Sequence, residues 1–186
     1  MSDFYQTLQE SKDRQLFIEF KGEEIGEGTT LGIVIDFSDD FVLIHNFDKN
    51  FYFNGFLLLR TSCIANYRNY EKDNFLALAV EKLAINPPQI NFDIDLLSVQ
   101  AFLDNIKYFF PLISITEISN LNVISIGKIE SVEEENVTLL ELDANAEWFD
   151  KATPIQYEDI ISIDFGGGYE KALWVVGKEE LNDSKK

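Results

Sequence analysis

Cysteine, histidine and basic side chains are scarce in this chain, and each scarcity removes a class of chemistry. One cysteine, Cys63, among 186 residues cannot form an internal disulfide, which fits a reducing compartment such as the cytoplasm. One histidine, His45, excludes a two-histidine metal site or a Cys/His cluster within the chain, and no cofactor is expected. Lys and Arg number 15 against 33 Asp and Glu, a formal net charge of −18. Nucleic-acid binding relies on Lys and Arg displacing counterions condensed on phosphates, so a large surface that tracks DNA or RNA is not expected. Long apolar runs are missing too: stretches such as 56–59 and 75–80 fall far short of the ~20 residues of a membrane span. The opening Met1-Ser2-Asp3-Phe4-Tyr5 carries neither the basic nor the apolar region of a secretory leader. A cytoplasmic protein is expected.

Aromatics, in contrast, are plentiful. Sixteen Phe, seven Tyr and two Trp, within a hydrophobic fraction of 46%, suffice for one packed core or two and exclude a disordered chain. Their spacing points to two. Shifted by 95 positions, the sequence matches itself: Ile18 falls on Ile113, Gly32 on Gly127, Val42 on Val137, Asp48 on Asp143 and Asn50 on Asn145. Apolar positions follow, with Phe20 on Ile115, Val34 on Ile129 and Ile44 on Leu139. After about Arg60 the offset becomes 96, placing Ile64 on Ile160 and Val80 on Val176. The reading is a duplication: a first unit over 1–80, a linker over 81–94 containing Asn86-Pro87-Pro88, a second unit over 95–177 and a flexible charged tail over 178–186.

Each copy opens with a helix, capped by Ser2 or Asp3 in the first and by Asp95 in the second, where Leu96, Val99, Leu103 and Ile106 recur at helical spacing. Short strands follow: 16–21, 29–37, 41–47, 56–60, 64–68 and 74–80 in copy one, and 112–118, 123–130, 136–142, 153–157, 161–165 and 169–176 in copy two. Tyr157-Glu158-Asp159-Ile160 reads as one helical turn between strands. The expected fold is mainly β, two tandem small barrels, each preceded by a short helix.

A helix followed by about five bent strands, with a helical turn before the fifth, resembles the Sm-like and SH3-like small barrels. The segment from Tyr157 to Leu173, with Ile161-Ser162-Ile163-Asp164-Phe165-Gly166-Gly167-Gly168 at its centre, is similar to a motif of uncharacterised bacterial proteins with paired barrels. The resemblance implies a fold and no activity. Sm-like RNA binders place a basic residue and a glycine near the fifth strand; here the stretch is Ile163-Asp164-Phe165-Gly166, with an acid where a phosphate contact is expected.

Candidate chemistry is thin. His45 lies mid-strand opposite an apolar position of the other copy, Leu140, which favours packing over catalysis. Cys63 has no neighbouring His or Lys to lower its pKa. The triplet Gly166-Gly167-Gly168 lacks the Lys-Ser/Thr of a phosphate loop and reads as a hairpin turn. Asp143, Asn145 and Glu147 alternate like calcium ligands, yet Trp148 stands where that loop needs glycine and Pro154 where it needs glutamate. Carboxylate pairs such as Asp39/Asp40 and Glu158/Asp159 sit at turns, where water screens them. No enzyme is expected.

What remains is acidity beside aromatics. Between Gly127 and Asp164 eleven acids face only Lys128 and Lys151. Glu133, Glu134, Glu135, Asp143, Glu147, Trp148 and Asp150 are the candidate partner-binding residues, matched to a basic protein. The sharpest form of this expectation is an immunity or inhibitor protein that neutralises a basic toxin such as a nuclease. The alternatives are a scaffold or regulatory module that binds a peptide along a strand edge, and an RNA-associated Sm-like factor.

Overall fold

In the computed structural model, residues 3–22, 29–71 and 74–183 are described, with side chains of the last helix followed to Glu179. The protein is mainly β, with ten strands, paired antiparallel within each unit, and four helices among the described residues. It divides into two compact units, Met1–Asn91 and Phe92–Lys186. No described helix is long and apolar enough to cross a membrane.

The first unit runs α1 (Asp3–Arg14), β1 (Phe17–Lys21), β2 (Thr30–Phe37), β3 (Phe41–Asp48), β4 (Tyr52–Arg60), a 3₁₀ turn (Thr61–Cys63), β5 (Asn66–Asn69) and α2 (Phe75–Lys82). Its strands lie in the order β5-β1-β2-β3-β4. Side chains alternate across a strand, so each strand feeds two layers. On one face Ile18, Phe20, Val34, Val42, Ile44, Leu57 and Leu59 close around Leu8 of α1. On the other, Phe17, Ile33 and Phe47 pack with Leu76 and Val80 of α2 and with Ile85. Covering both faces explains why β3 is buried over most of its length. Each large apolar side chain fully removed from water contributes roughly 1.5–3 kcal/mol. Buried Ser11 ties α1 down, donating to Leu16 O at 2.7 Å and accepting from Val34 N at 3.2 Å.

The second unit repeats the plan with α3 (Val99–Ile106), β6 (Ile113–Glu117), β7 (Ile124–Val132), β8 (Asn136–Glu141), β9 (Thr153–Gln156), a 3₁₀ turn (Tyr157–Asp159), β10 (Ile160–Phe165) and α4 (Gly168–Asp183). The order is β10-β6-β7-β8-β9. Pairing registers coincide at the offsets read from the sequence. Ile18 pairs with Gly32 and Asn69, and Ile113 with Gly127 and Phe165. Both units carry an irregularity at one place, between Val34 and Asp36 and between Ile129 and Ser131. The shared glycines have a shared cause. A Cβ on Gly32 would run into the His45 carbonyl oxygen, and one on Gly127 would lie 2.6 Å from that of Leu140. The shared Asp-x-Asn shapes a turn in each copy: Asn50 N donates to Asp48 Oδ1 at 2.7 Å and Asn145 N to Asp143 Oδ1 at 2.8 Å.

Several expectations are corrected. The sheet is not closed: β4 does not pair with β5, nor β9 with β10. The 3₁₀ turn carries the chain away from β4 so that β5 pairs with β1 instead. Segments 74–80 and 169–176, read as sixth strands, are helical. Asn74 caps α2 by accepting from Leu76 N at 2.9 Å, and Leu, Ala, Glu and Lys are good helix formers. Gly166 takes a positive φ of 68°, as a turn glycine would, but the turn leads into α4 and not into a strand. Helix α4 continues through Asp183, over most of the stretch read as a flexible tail. The cap of α3 is Ser98, accepting from Ala101 N at 3.1 Å, while Asp95 accepts from Leu97 N in the preceding turn. Ser2 lies outside the described residues.

Candidate functional site

The seven candidate residues form two groups at opposite ends of β8, whose six residues span about 20 Å. Glu133, Glu134 and Glu135 are exposed at the β7–β8 turn. Beside them a hollow of about 320 Å3 is lined by Glu135, Gln156, Tyr157 and Glu158. Tyr157 braces this end, donating from its hydroxyl to Glu133 O at 2.8 Å. Burial, followed by the charges of Asp104 and Glu133, pushes the Tyr157 phenol up to about 12, so it stays a donor.

Asp143, Glu147, Trp148 and Asp150 occupy the β8–β9 connection. Asp143 Oδ1 accepts the backbone N–H groups of Asn145 and Glu147 at 2.8 and 3.0 Å, which holds its carboxyl below the usual range. Trp148 is half-buried and fixed: its indole N–H donates to Gly177 O at 2.7 Å and its ring meets Trp174 edge-on at 6.5 Å. Gly177 allows this approach, since a Cβ there would lie 3.0 Å from Ala146 O. Glu147, Phe149 and Asp150 face solvent. Of the two cations in this stretch, Lys128 is paired with Glu130 at 3.1 Å.

A third group was not anticipated. Asp164 on β10 lies directly across from Ser114 on β6. Ser114 Oγ donates to Oε1 of Glu170, in the first turn of α4, at 2.7 Å. Ser114 and Glu170 are 5% and 8% exposed. Burial first, and then the charge of Glu170, pushes Asp164 up to about 7. Glu170 also lines a cavity of about 220 Å3 whose walls include Phe109, Phe110, Leu112 and Trp174, with Lys171 and Val175 exposed along it. The carboxylate pairs read from the sequence were those adjacent in the chain. Asp164 and Glu170 meet only because α4 folds back over the β6 and β10 face. The signal available was Glu170-Lys171-Ala172-Leu173, a run of helix formers that follows the glycines and Tyr169.

The same places in the first unit carry different chemistry. Ser114 and Asp164 correspond to Glu19 and Arg68, which face each other across β1 and β5. Tyr70 donates to Glu19 Oε2 at 3.2 Å, and the Arg68 guanidinium lies 5.1 Å from the centre of its ring. By the same offset Gly166 stands where Tyr70 does, and Phe109 and Phe110 stand where Arg14 and Gln15 do. Arg14 and Gln15 line a wider hollow of about 390 Å3 against α2. His45 is buried among Phe53 and Phe56, with Nδ1 lacking a partner among the described residues, and burial lowers its pKa to about 4. Cys63 is buried as well.

Among the described residues no group of three His, Cys, Asp or Glu side chains is placed to hold a metal ion. The chain matches no protein-family model, no curated protein and no solved structure.

Proposed function

We propose that the chain is a cytoplasmic, non-enzymatic binding protein that engages a basic protein through the acidic surface of its second unit. The observation that carries this reading is the β7–β8 end of that unit. There Glu133, Glu134 and Glu135 project beside a hollow lined by two further acidic or polar side chains, Glu158 and Gln156, and by no cation. Like charges crowded at one rim steer an oppositely charged partner and reject acidic ones. Neutralising a toxin whose basic active site needs covering, such as a nuclease, is the use that fits best.

The fold is part of the proposal. Each unit is an open, bent sheet of the Sm or SH3 kind. The supports are the order 5-1-2-3-4 in both copies, the helix before the first strand, the 3₁₀ turn before the fifth, and the glycine that lets facing strands approach. The non-enzymatic reading is supported by His45, whose ring is packed away from solvent, and by Ser114, whose hydroxyl is engaged by a carboxylate and not by an imidazole.

The test is capture from its own cells with the natural chain and with a Glu133→Lys/Glu134→Lys/Glu135→Lys variant. Expected is one basic protein, held by the natural chain at low salt, weakened about tenfold or more as ionic strength rises, and lost with the variant. When purified, it should lose its own activity on binding. A captured protein indifferent to both salt and charge reversal would refute the reading.

A further inference from the structure

We propose that the cavity of the second unit is a binding site for an organic cation, a primary ammonium carried on an apolar stem, with Glu170 as its anchor. This rests on side chains of β6, β10, α4 and the segment before β6, and so stands apart from the acidic rim.

The first unit places the ring of Tyr70 where the second has Gly166, which lines the cavity. The other walls are aromatic and aliphatic apart from Lys171, which is exposed. At one end sits a carboxylate that is more than nine-tenths buried and holds a single hydrogen bond, from Ser114. Asp164 lies close enough to Glu170 to be perturbed by it, and no ion pair to either is formed among the described residues.

Two carboxyls in apolar surroundings are costly without a counter-charge. Asp164, raised to about 7 by burial and by the charge of Glu170, lessens that cost by taking up a proton as the pH falls through neutrality. An ammonium entering the cavity would supply the charge and three donors instead, and the faces of Phe109, Phe110 or Trp174 would favour the same cation. Size narrows the class. A volume of about 220 Å3, somewhat more than the ~150 Å3 of a cavity that takes up benzene, has room for a small arylalkyl amine or one lysine stem. A free amine and a lysine side chain of a protein partner offer the same chemistry, and the measurement separates them.

The experiment is a titration of the full chain followed by the indole N–H resonance of Trp174. The probes are phenethylamine, its neutral counterpart 2-phenylethanol, and N-acetyl-lysine methylamide. A saturable shift with either amine, about tenfold tighter than with the alcohol, is expected. Preference for phenethylamine assigns a free amine as the natural ligand, and preference for the lysine derivative assigns a protein side chain. Glu170→Gln should remove the difference between amine and alcohol. Val175→Trp, at a position 60% exposed, should block binding with the fold intact, and it serves should the first variant not fold. Absence of a saturable shift, equal affinity for the alcohol, or amine binding that survives both substitutions would overturn the proposal. Failure of the capture experiment would leave this result untouched.

Discussion

The two units share a strand order and a pairing register, yet they solve one spot in opposite ways. Where β1 meets β5, Glu19 and Arg68 face each other across the strands with opposite charges, and Tyr70 donates to Glu19. Where β6 meets β10, Ser114 and Asp164 lie beneath Glu170, and an acid is left to hold a proton. Among the described residues of the first unit, the buried side-chain atoms without a partner are instead Nδ1 of His45, at the position that is Leu140 in the second, and Oδ1 of Asn69. A shared strand plan therefore fixes where side chains meet but not what they must be. Among the positions that are identical in the two units, Gly32 with Gly127 and Asp48 with Asp143 are ones where the backbone itself makes the demand.

The glycines give the largest way to break that equivalence. Gly32→Ala and Gly127→Ala each force a methyl into a facing carbonyl oxygen, which no side-chain rotation relieves. Each should cost about 3 kcal/mol or more, with Gly32→Ala the worse, read as the denaturant midpoint. Equal tolerance of both would show that the strands are less closely opposed than described.

The titrating pair comes next, and its two signs differ. Asp164 is raised to about 7 from 3.8, so the folded state keeps a proton that the unfolded chain releases. Its contribution to stability falls as pH rises from about 4 to about 7 and is level above that. His45 is lowered to about 4 from 6.5, so the unfolded chain takes up a proton first. Its contribution is present above about 6.5 and is lost as pH falls towards 4. Asp164→Asn should stabilise the protein at pH 8 and hardly at pH 4, by an amount on the order of 2 kcal/mol, since each pKa unit is worth ~1.4 kcal/mol and part of Asp164 meets water. His45→Leu, which installs the residue of the other copy, should stabilise chiefly at pH 4–5. Unfolding midpoints across pH 4–8 should change slope in opposite senses for the two variants; a common sense would contradict the assignment.

The smallest effect is at the turns. The Asp143 carboxylate accepts backbone N–H groups from two residues, Asn145 and Glu147, whereas among the described residues that of Asp48 accepts from Asn50 only. Asp143→Ala should therefore lower the thermal midpoint more than Asp48→Ala.

Strands were legible because their alternation and turn residues recur in both copies, each reading supporting the other. The same recurrence propagated an error. Val80 and Val176 match at the shifted offset, and both apolar runs were read as strands when both are helices. A short apolar run with valines carries no decisive period; the cap at Asn74 and the burial of Leu173 decide it. For the candidate site, the turn acids Glu133, Glu134, Glu135, Glu147 and Asp150 were found where solvent was expected. Trp148 is held in place by Gly177, which lies 29 residues further along the chain.

The sequence by itself determined the acidity, the paired plan of short strands and the residues at which the backbone bends, because these depend on composition and on neighbours a few positions apart. Only the tertiary structure decided that the sheet stays open, that the last helix of each unit covers a second face, and that Asp164 and Glu170 share a buried site beside an apolar cavity. Those outcomes depend on which surfaces water leaves, and burial is a property of the folded chain as a whole.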